Sequence, residues 1–456
     1  MKLQTIGPVL LLALGAAACN SVLDVQPIND VDTKDAFATP ANARAALAGL
    51  YDGLQSTAYY GGTFLFFSDL SGDDVRHTGT FTTYKQADVN SLTADNTTIE
   101  GLWDGLYRTV GRANIMIERV GGVPGLDPAA RDSMLGTAHF IRALTYHNLI
   151  KLFGDSASTG LGVPLVLVPP PDIPSAGLVT RATTGEVYTQ ILADLAQAET
   201  LNPALLGPIR AIRARVFLYR ENWAGAEAEA ESVAAMGYAL APNYGDLFTA
   251  NGTATDEDIF RIEFTAVDFN LIGYYYRAKG AAGGRREITP SNVYLTACSP
   301  GFTAGVPASY TPVDLRCQWN AKFQGTTVYG SKYPTGDGAE DLHVIRFAEI
   351  LLIEAEAEAR QNKLGEAEAT ITPVRTRAGM PALQLDTLPA PQFAVDAILQ
   401  ERRFELTYEG DRWPDLVRTG RAVTVLNLVG REFQRLYPIP LNELDVAPGL
   451  LQNPGY

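Results

Sequence analysis

Asn222-Trp223-Ala224-Gly225-Ala226 and Lys363-Leu364-Gly365-Glu366-Ala367 decide the fold. Around the first stretch stand Ala214, Trp223, Ala226 and Val233; around the second, at one constant offset, stand Ala355, Leu364, Ala367 and Val374. A helix, a tight turn and a second helix, used twice, produce this pattern. Small residues at fixed places let the paired helices approach closely, and the turn resembles that of tetratricopeptide repeats. Convergent Ala-rich amphipathic helices are the alternative source of so short a match.

Outward from these pairs, apolar residues recur at helical spacing over 41–54, 98–120, 132–153, 184–201, 209–219, 223–236, 342–361, 364–378 and 393–408. Thr39-Pro40 marks the start of the first of these, a capping hydroxyl followed by proline at the first helical position. The fold class is therefore mostly α: helix pairs forming a scaffold, with minor β. Three long stretches, near 59–96, 163–180 and 240–340, break the periodicity and carry most of the Gly, Tyr, Phe, Asn and Thr. Loops of that length in a compact protein are usually functional.

The 456 residues are 46% hydrophobic and 19% charged, which is globular composition and argues against disorder or a polytopic membrane protein. A formal charge of -15 argues against nucleic acid as partner, because such binders neutralise phosphates with a basic surface. At the N-terminus, Lys2 precedes an apolar run from Ile6 to Ala18, and Gly15-Ala16-Ala17-Ala18 places small residues directly before Cys19. This resembles a bacterial lipobox. It implies a signal peptide over 1–18, lipid on Cys19, and a tether over 19–32 anchored to the membrane without spanning it. Asn20 in the second mature position suggests sorting to the outer membrane.

With Cys19 lipidated, Cys298 and Cys317 remain as one pair in an export compartment, and a disulfide between them is expected, two buried thiols being the alternative. Four histidines form no metal motif, and no nucleophile elbow, phosphate loop or dinucleotide fingerprint occurs, so no catalytic residue is assigned. Asp69, Asp73 and Asp74 have the oxygen density of a calcium loop, but Thr80 stands where its closing glutamate belongs; a capping turn is the other reading. Aromatic residues in the loops say more. Tyr59 and Tyr60 crowd one loop, while Tyr274, Tyr275, Tyr276 and Arg316, Trp319, Asn320 occur in another. Rings beside amides and guanidinium groups suit a sugar or a peptide, so these eight residues are the candidate ligand contacts, Trp319 first because a disulfide would stiffen its loop.

Several motifs then fall in one order along the chain: Leu23-Asp24-Val25-Gln26-Pro27, Ala46-Leu47-Ala48-Gly49-Leu50-Tyr51, Ala113-Asn114, Ile141-Arg142-Ala143, Phe153-Gly154-Asp155, Arg181-Ala182-Thr183, Asp194-Leu195, Glu401-Arg402-Arg403-Phe404-Glu405, Glu409-Gly410-Asp411-Arg412-Trp413 and Gln452-Asn453-Pro454-Gly455-Tyr456. In these the chain resembles the SusD/RagB-like outer-membrane lipoproteins, from the lipobox to the last residue. The resemblance implies a single SusD-like domain over 33–456 that needs no cofactor and is not an enzyme. It would capture oligosaccharides at the cell exterior and deliver them to a SusC-like TonB-dependent transporter. Capture of peptides, as in RagB-like members, is the alternative; a surface hydrolase ranks third. The charged residues from Glu401 to Arg418 read as buried ion pairs of the scaffold, since charges removed from water must be paired. Residues 156–162 depart from the family pattern as an insertion after Phe153-Gly154-Asp155.

Overall fold

The computed structural model describes residues 35–169, 179–249, 254–280, 283–335 and 338–456. Cys19, the signal peptide and the tether lie outside the described residues, as does much of the 163–180 stretch. Nine helices of twelve residues or more are described: α1 (Pro40–Gln55), α2 (Thr97–Arg119), α3 (Pro128–Phe153), α4 (Thr184–Leu201), α5 (Leu206–Tyr219), α6 (Trp223–Ala234), α7 (Phe347–Arg360), α8 (Leu364–Arg377) and α9 (Pro391–Glu405). Each packs against the next in sequence, and α9 also lies on α7. Local signals set the ends. The Thr39 hydroxyl caps α1 ahead of Pro40, and Thr183 and Glu186 form a reciprocal capping box on α4. Asp127-Pro128 starts α3 four residues earlier than the apolar spacing predicts.

The structure contains the repeat. Helices α5 and α6 and helices α7 and α8 begin at the same offset that relates the two sequence motifs. In each turn one residue takes a left-handed conformation, Glu221 at φ 54° and Asn362 at φ 64°. Ala214, Ala226 and Val233 are buried, and so are Ala355, Ala367 and Val374, which brings the helix backbones together through small side chains. Helix α6 packs directly on α7 although residues 235–346 intervene, so the third loop-rich segment leaves and rejoins one continuous helical stack.

Helix α3 is buried on nearly all sides from Met134 to Phe153, which its position between α2 and α4 requires. The polar groups this buries are paired. Arg142 donates to both oxygens of Asp194 on α4, at 2.9 and 2.6 Å, and to Asn114 on α2 at 2.8 Å. At its C-terminus the Phe153 carbonyl, left without a helical partner, accepts from Arg181 and from Asn453, each at 2.9 Å. Six sequence motifs thus meet in two clamps.

Among the described residues, six short strands form three two-stranded sheets. β1 (Val75–His77) pairs antiparallel with β3 (Ile288–Pro290), β2 (Asp258–Ile262) with β6 (Leu342–Arg346), and β4 (Ala321–Gln324) with β5 (Thr327–Gly330). Two sequence expectations need correction. Residues 342–346 are strand rather than the first turn of α7, because their side chains are buried on both faces against β2. The 59–96 stretch is not a loop: it holds helices Thr63–Leu70 and Thr82–Asp88 whose aromatic residues enter the main core. The inserted 156–162 segment closes on itself, with the Asp155 N–H donating to the Leu161 carbonyl at 2.9 Å.

Candidate ligand-binding site

Burial separates the eight candidate contacts. Tyr59 and Tyr60 stack at 4.4 Å in the core, and both hydroxyls accept from the Asn148 amide. Tyr276 stacks on Tyr408 and donates to Asp69 at 2.5 Å, while Tyr275 is wedged between Phe66 and Tyr84. Arg316 is held by Asp314, Glu401 and Glu405, and Asn320 by the hydroxyls of Tyr244 and Tyr294. Side chains at most 7% exposed leave no ring face or polar edge free to cover a sugar, so these six are scaffold and not ligand contacts. Asp73 and Asp74 are likewise corrected as calcium ligands: Arg403 and Arg412 neutralise them, at 2.6 Å for the Arg403–Asp74 and Arg412–Asp73 pairs. Burial pushes the third, Asp69, up to about 8, which suits a neutral acid rather than a cation ligand.

Trp319 and Tyr274 remain, both half-buried. The Trp319 indole donates to the Lys332 carbonyl at 3.2 Å, Lys322 sits 5.2 Å from the ring, and the Gly245 backbone lies against it so closely that a Cβ there would come within 2.6 Å. It edges a cavity of about 400 Å³ with Asn243, Asp246, Thr249 and Gln318. Tyr274 belongs to a second surface. Arg285 stands over Phe81, Tyr274 and Tyr275, at 5.4 to 5.7 Å from the ring centres, with its charge answered by Glu287 at 2.6 Å.

Beside that surface opens a cavity of about 540 Å³, built where β1–β3 and the β4–β5 hairpin meet. Phe302 and Phe323 line it 6.3 Å apart, with Asn292, Thr289, Thr78, Thr326 and Thr327 supplying amide and hydroxyl groups and Arg76, Lys279 and Arg286 supplying positive charge. Gly325, at φ 62°, makes the tight hairpin turn that brings Phe323 and Val328 to its wall. Cys298 and Cys317 are bonded, and they lie in the small core with Tyr294, Leu295 and Ala321 against which Phe302 and Phe323 pack. The cross-link therefore backs the cavity's aromatic wall. Sequence reasoning missed this site. Arg76 is the outward residue of a three-residue strand between buried Val75 and His77, and only the β1–β3 register brings it to Lys279 and Arg286.

The charged residues of the C-terminal motifs are the frame behind these surfaces. Glu405 accepts from Arg316 at 3.1 Å and Arg346 at 2.6 Å and is also paired with Arg377; Glu409 accepts from Lys332 and Arg346. Arg402 and Arg418 share Asp415, and Arg418 continues to Glu356 on α7 at 2.6 Å. Burial alone would raise the Glu409 carboxyl, but Arg346 and Lys332 outweigh it and hold it at about 2. The same opposition, won by Arg402 and Arg418, holds Asp415 at about 2.

Two family profiles match the chain: "SusD family" over residues 310–428 and "Starch-binding associating with outer membrane" over residues 22–209, together more than half of its length. The chain belongs to the SusD/RagB-like family. SusD-like protein P38 of Formosa agariphila is 26% identical over 525 aligned residues, covering 98% of each chain. A SusD superfamily protein of Bacteroides vulgatus ATCC 8482 superposes with a TM-score of 0.78 at 20% identity, over 92% of this chain and all of the other. A laminarin-binding SusD-like protein superposes with a TM-score of 0.74 at 23% identity, again over 92% and 100%. The mostly helical SusD-like fold is thereby established. In this member of the SusD/RagB-like family the side chains of the motif residues Asn114, Arg142, Asp194, Glu405, Glu409 and Asn453 are all buried and paired, so the residues that carry the resemblance are those that hold the scaffold.

Proposed function

We propose that the protein is a glycan-capture lipoprotein of the outer membrane, anchored by lipid on Cys19, that passes oligosaccharides to a SusC-like TonB-dependent transporter. The family profile described as starch-binding and outer-membrane-associated and the laminarin-binding relative of the same fold support this reading. The observation that carries it is the composition of the 540 Å³ cavity: two phenyl rings, an amide and several hydroxyls converge there, and its lining has no Asp or Glu among the described residues. Rings cover the C–H faces of a sugar while amides and hydroxyls bond its oxygens. Glycoside hydrolysis uses two carboxyl groups roughly 5 to 10 Å apart, so this lining favours capture over cleavage.

A binding screen of the chain beginning after Cys19, against polysaccharides, oligosaccharides and peptide pools with products analysed in the same samples, tests the reading. Retention of a glycan without product is the expected result. Release of shorter fragments would make the protein an enzyme, and retention of peptides alone would transfer it to the peptide-capturing branch.

A further inference from the structure

We propose that the 540 Å³ cavity selects a polysaccharide bearing anionic groups, carboxylate or sulfate ester, and that Lys279 and Arg286 bind that charge. The inference rests on the capture reading above and names its substrate class. The chain carries 51 acidic and 36 basic residues, yet this cavity is lined by three cations and no carboxylate among the described residues. A long-range field set by net charge would repel a polyanion, so the local inversion of sign is what a bound anion would experience.

The nearby carboxylates are already neutralised. Glu287 is paired with Arg285, Asp88 with Lys85 and Arg76, and Asp73 and Asp74 with Arg403 and Arg412. Arg76 is thus partly answered by Asp88 at 3.5 Å, whereas Lys279 and Arg286 have no carboxylate partner among the described residues. Arg286 reaches only the Gln324 side-chain oxygen, at 3.4 Å. Its backbone is also held in the left-handed region at φ 51°, unusual for a residue with a long side chain. The Thr78 hydroxyl fixes it there by donating to the Arg286 carbonyl at 2.9 Å, and the Thr78 N–H donates to the Glu287 carbonyl at 2.7 Å. Strain held by surrounding bonds at a cavity wall is a feature of binding sites. Guanidinium and ammonium groups beside Phe302 and Phe323 then offer one ligand both a charge contact and a ring face.

The test uses probes that differ in charge alone: polygalacturonate against its fully methyl-esterified form, and dextran sulfate against dextran. Affinities are measured for the chain beginning after Cys19, for Lys279→Gln/Arg286→Gln, and for Arg119→Gln as an exposed control outside the cavity. Binding of a charged probe at least tenfold tighter than its neutral twin, lost at least tenfold in the double variant and kept in the control, is expected. Carboxylated and sulfated probes separate the two sources of charge. Equal affinity for charged and neutral twins, or a double variant within twofold of the parent, overturns the anion assignment and leaves glycan capture standing. Equal loss in Arg119→Gln also overturns it, as diffuse attraction. Failure of the chain to bind any polysaccharide in the broader screen overturns both.

Discussion

Arg316 donates to Glu405 at 3.1 Å across 89 positions of sequence, and neither side chain has any solvent exposure. The bond joins the long segment inserted between α6 and α7 to the end of α9, and Glu405 also answers Arg346 and Arg377. Replacing it by alanine leaves three buried guanidinium groups short of one carboxylate. Glu405→Ala is expected to cost about 3–5 kcal/mol of unfolding free energy, the usual penalty for breaking a buried pair from one side. Urea unfolding of the variant measures this, and a loss below about 1 kcal/mol would show that the network is not a unit.

Asp69 provides a signature at higher pH. Burial raises its folded-state value to about 8, against 3.8 in the unfolded chain, so the folded protein keeps a proton that the unfolded chain has released. Its contribution to stability is complete below about pH 4 and is lost as the pH rises through about 8. Asp69→Asn removes this dependence. Between pH 5 and pH 8 the stability of the variant relative to the parent is expected to rise, by up to about 4 kcal/mol at 1.36 kcal/mol per unit. Parallel stability curves for the two proteins would refute the assignment.

Glu409 and Asp415 act in the opposite direction. Both carboxyls are held at about 2 when folded, so their contributions are present above the ordinary carboxylate range and disappear as the pH falls toward 2. Glu409→Gln is expected to flatten the acid limb of the thermal midpoint between pH 4.5 and 2 while lowering the midpoint at neutral pH. An acid limb of unchanged steepness would count against it.

The cross-link between Cys298 and Cys317 closes a separation of 19 residues. In the chain-entropy picture such a loop is worth roughly 3 kcal/mol. Reduction is expected to lower stability by about that amount and to weaken ligand binding, since Phe302 and Phe323 pack on the cross-linked core. Intact binding after verified reduction would separate the disulfide from the site.

Glu221 and Asn362 occupy equivalent turn positions, and asparagine tolerates the left-handed conformation that glutamate resists. Glu221→Asn is expected to stabilise the protein by about 0.5–1 kcal/mol, readable as an upward shift of the denaturation midpoint.

Much of the scaffold was legible in the sequence because helix pairs announce themselves locally. A period of 3.6, a capping threonine and a proline at the first position need no knowledge of the rest of the chain, and α1, α4 and α8 fall within a residue of their expected ends. The scaffold role of the motif residues is also legible, since nine charges of both signs from Glu401 to Arg418 on one helix and its sequel have to find partners. The proposed ligand surface was not legible. Tyr59, Tyr60 and Tyr276 have the composition of a binding surface but the environment of a core, and aromatic content alone does not distinguish the two. Arg76, Lys279 and Arg286 come from segments separated by some two hundred residues, and their proximity exists only through the pairing of two three-residue strands.

Because α6 and α7 pack against one another, the polypeptide between them begins and ends at neighbouring points of the helical stack. Such an arrangement invites transplantation: a differently shaped insert from another relative could be spliced between residues 234 and 347 to change what is recognised. Splicing is constrained, however, by five anchors inside the segment, Glu257, Asp314, Arg316, Lys332 and Arg346, whose partners include Glu401, Glu405 and Glu409. A chimera that keeps those five positions retains its electrical match to the host; one that discards them would place unmatched charges of the recipient in its own interior.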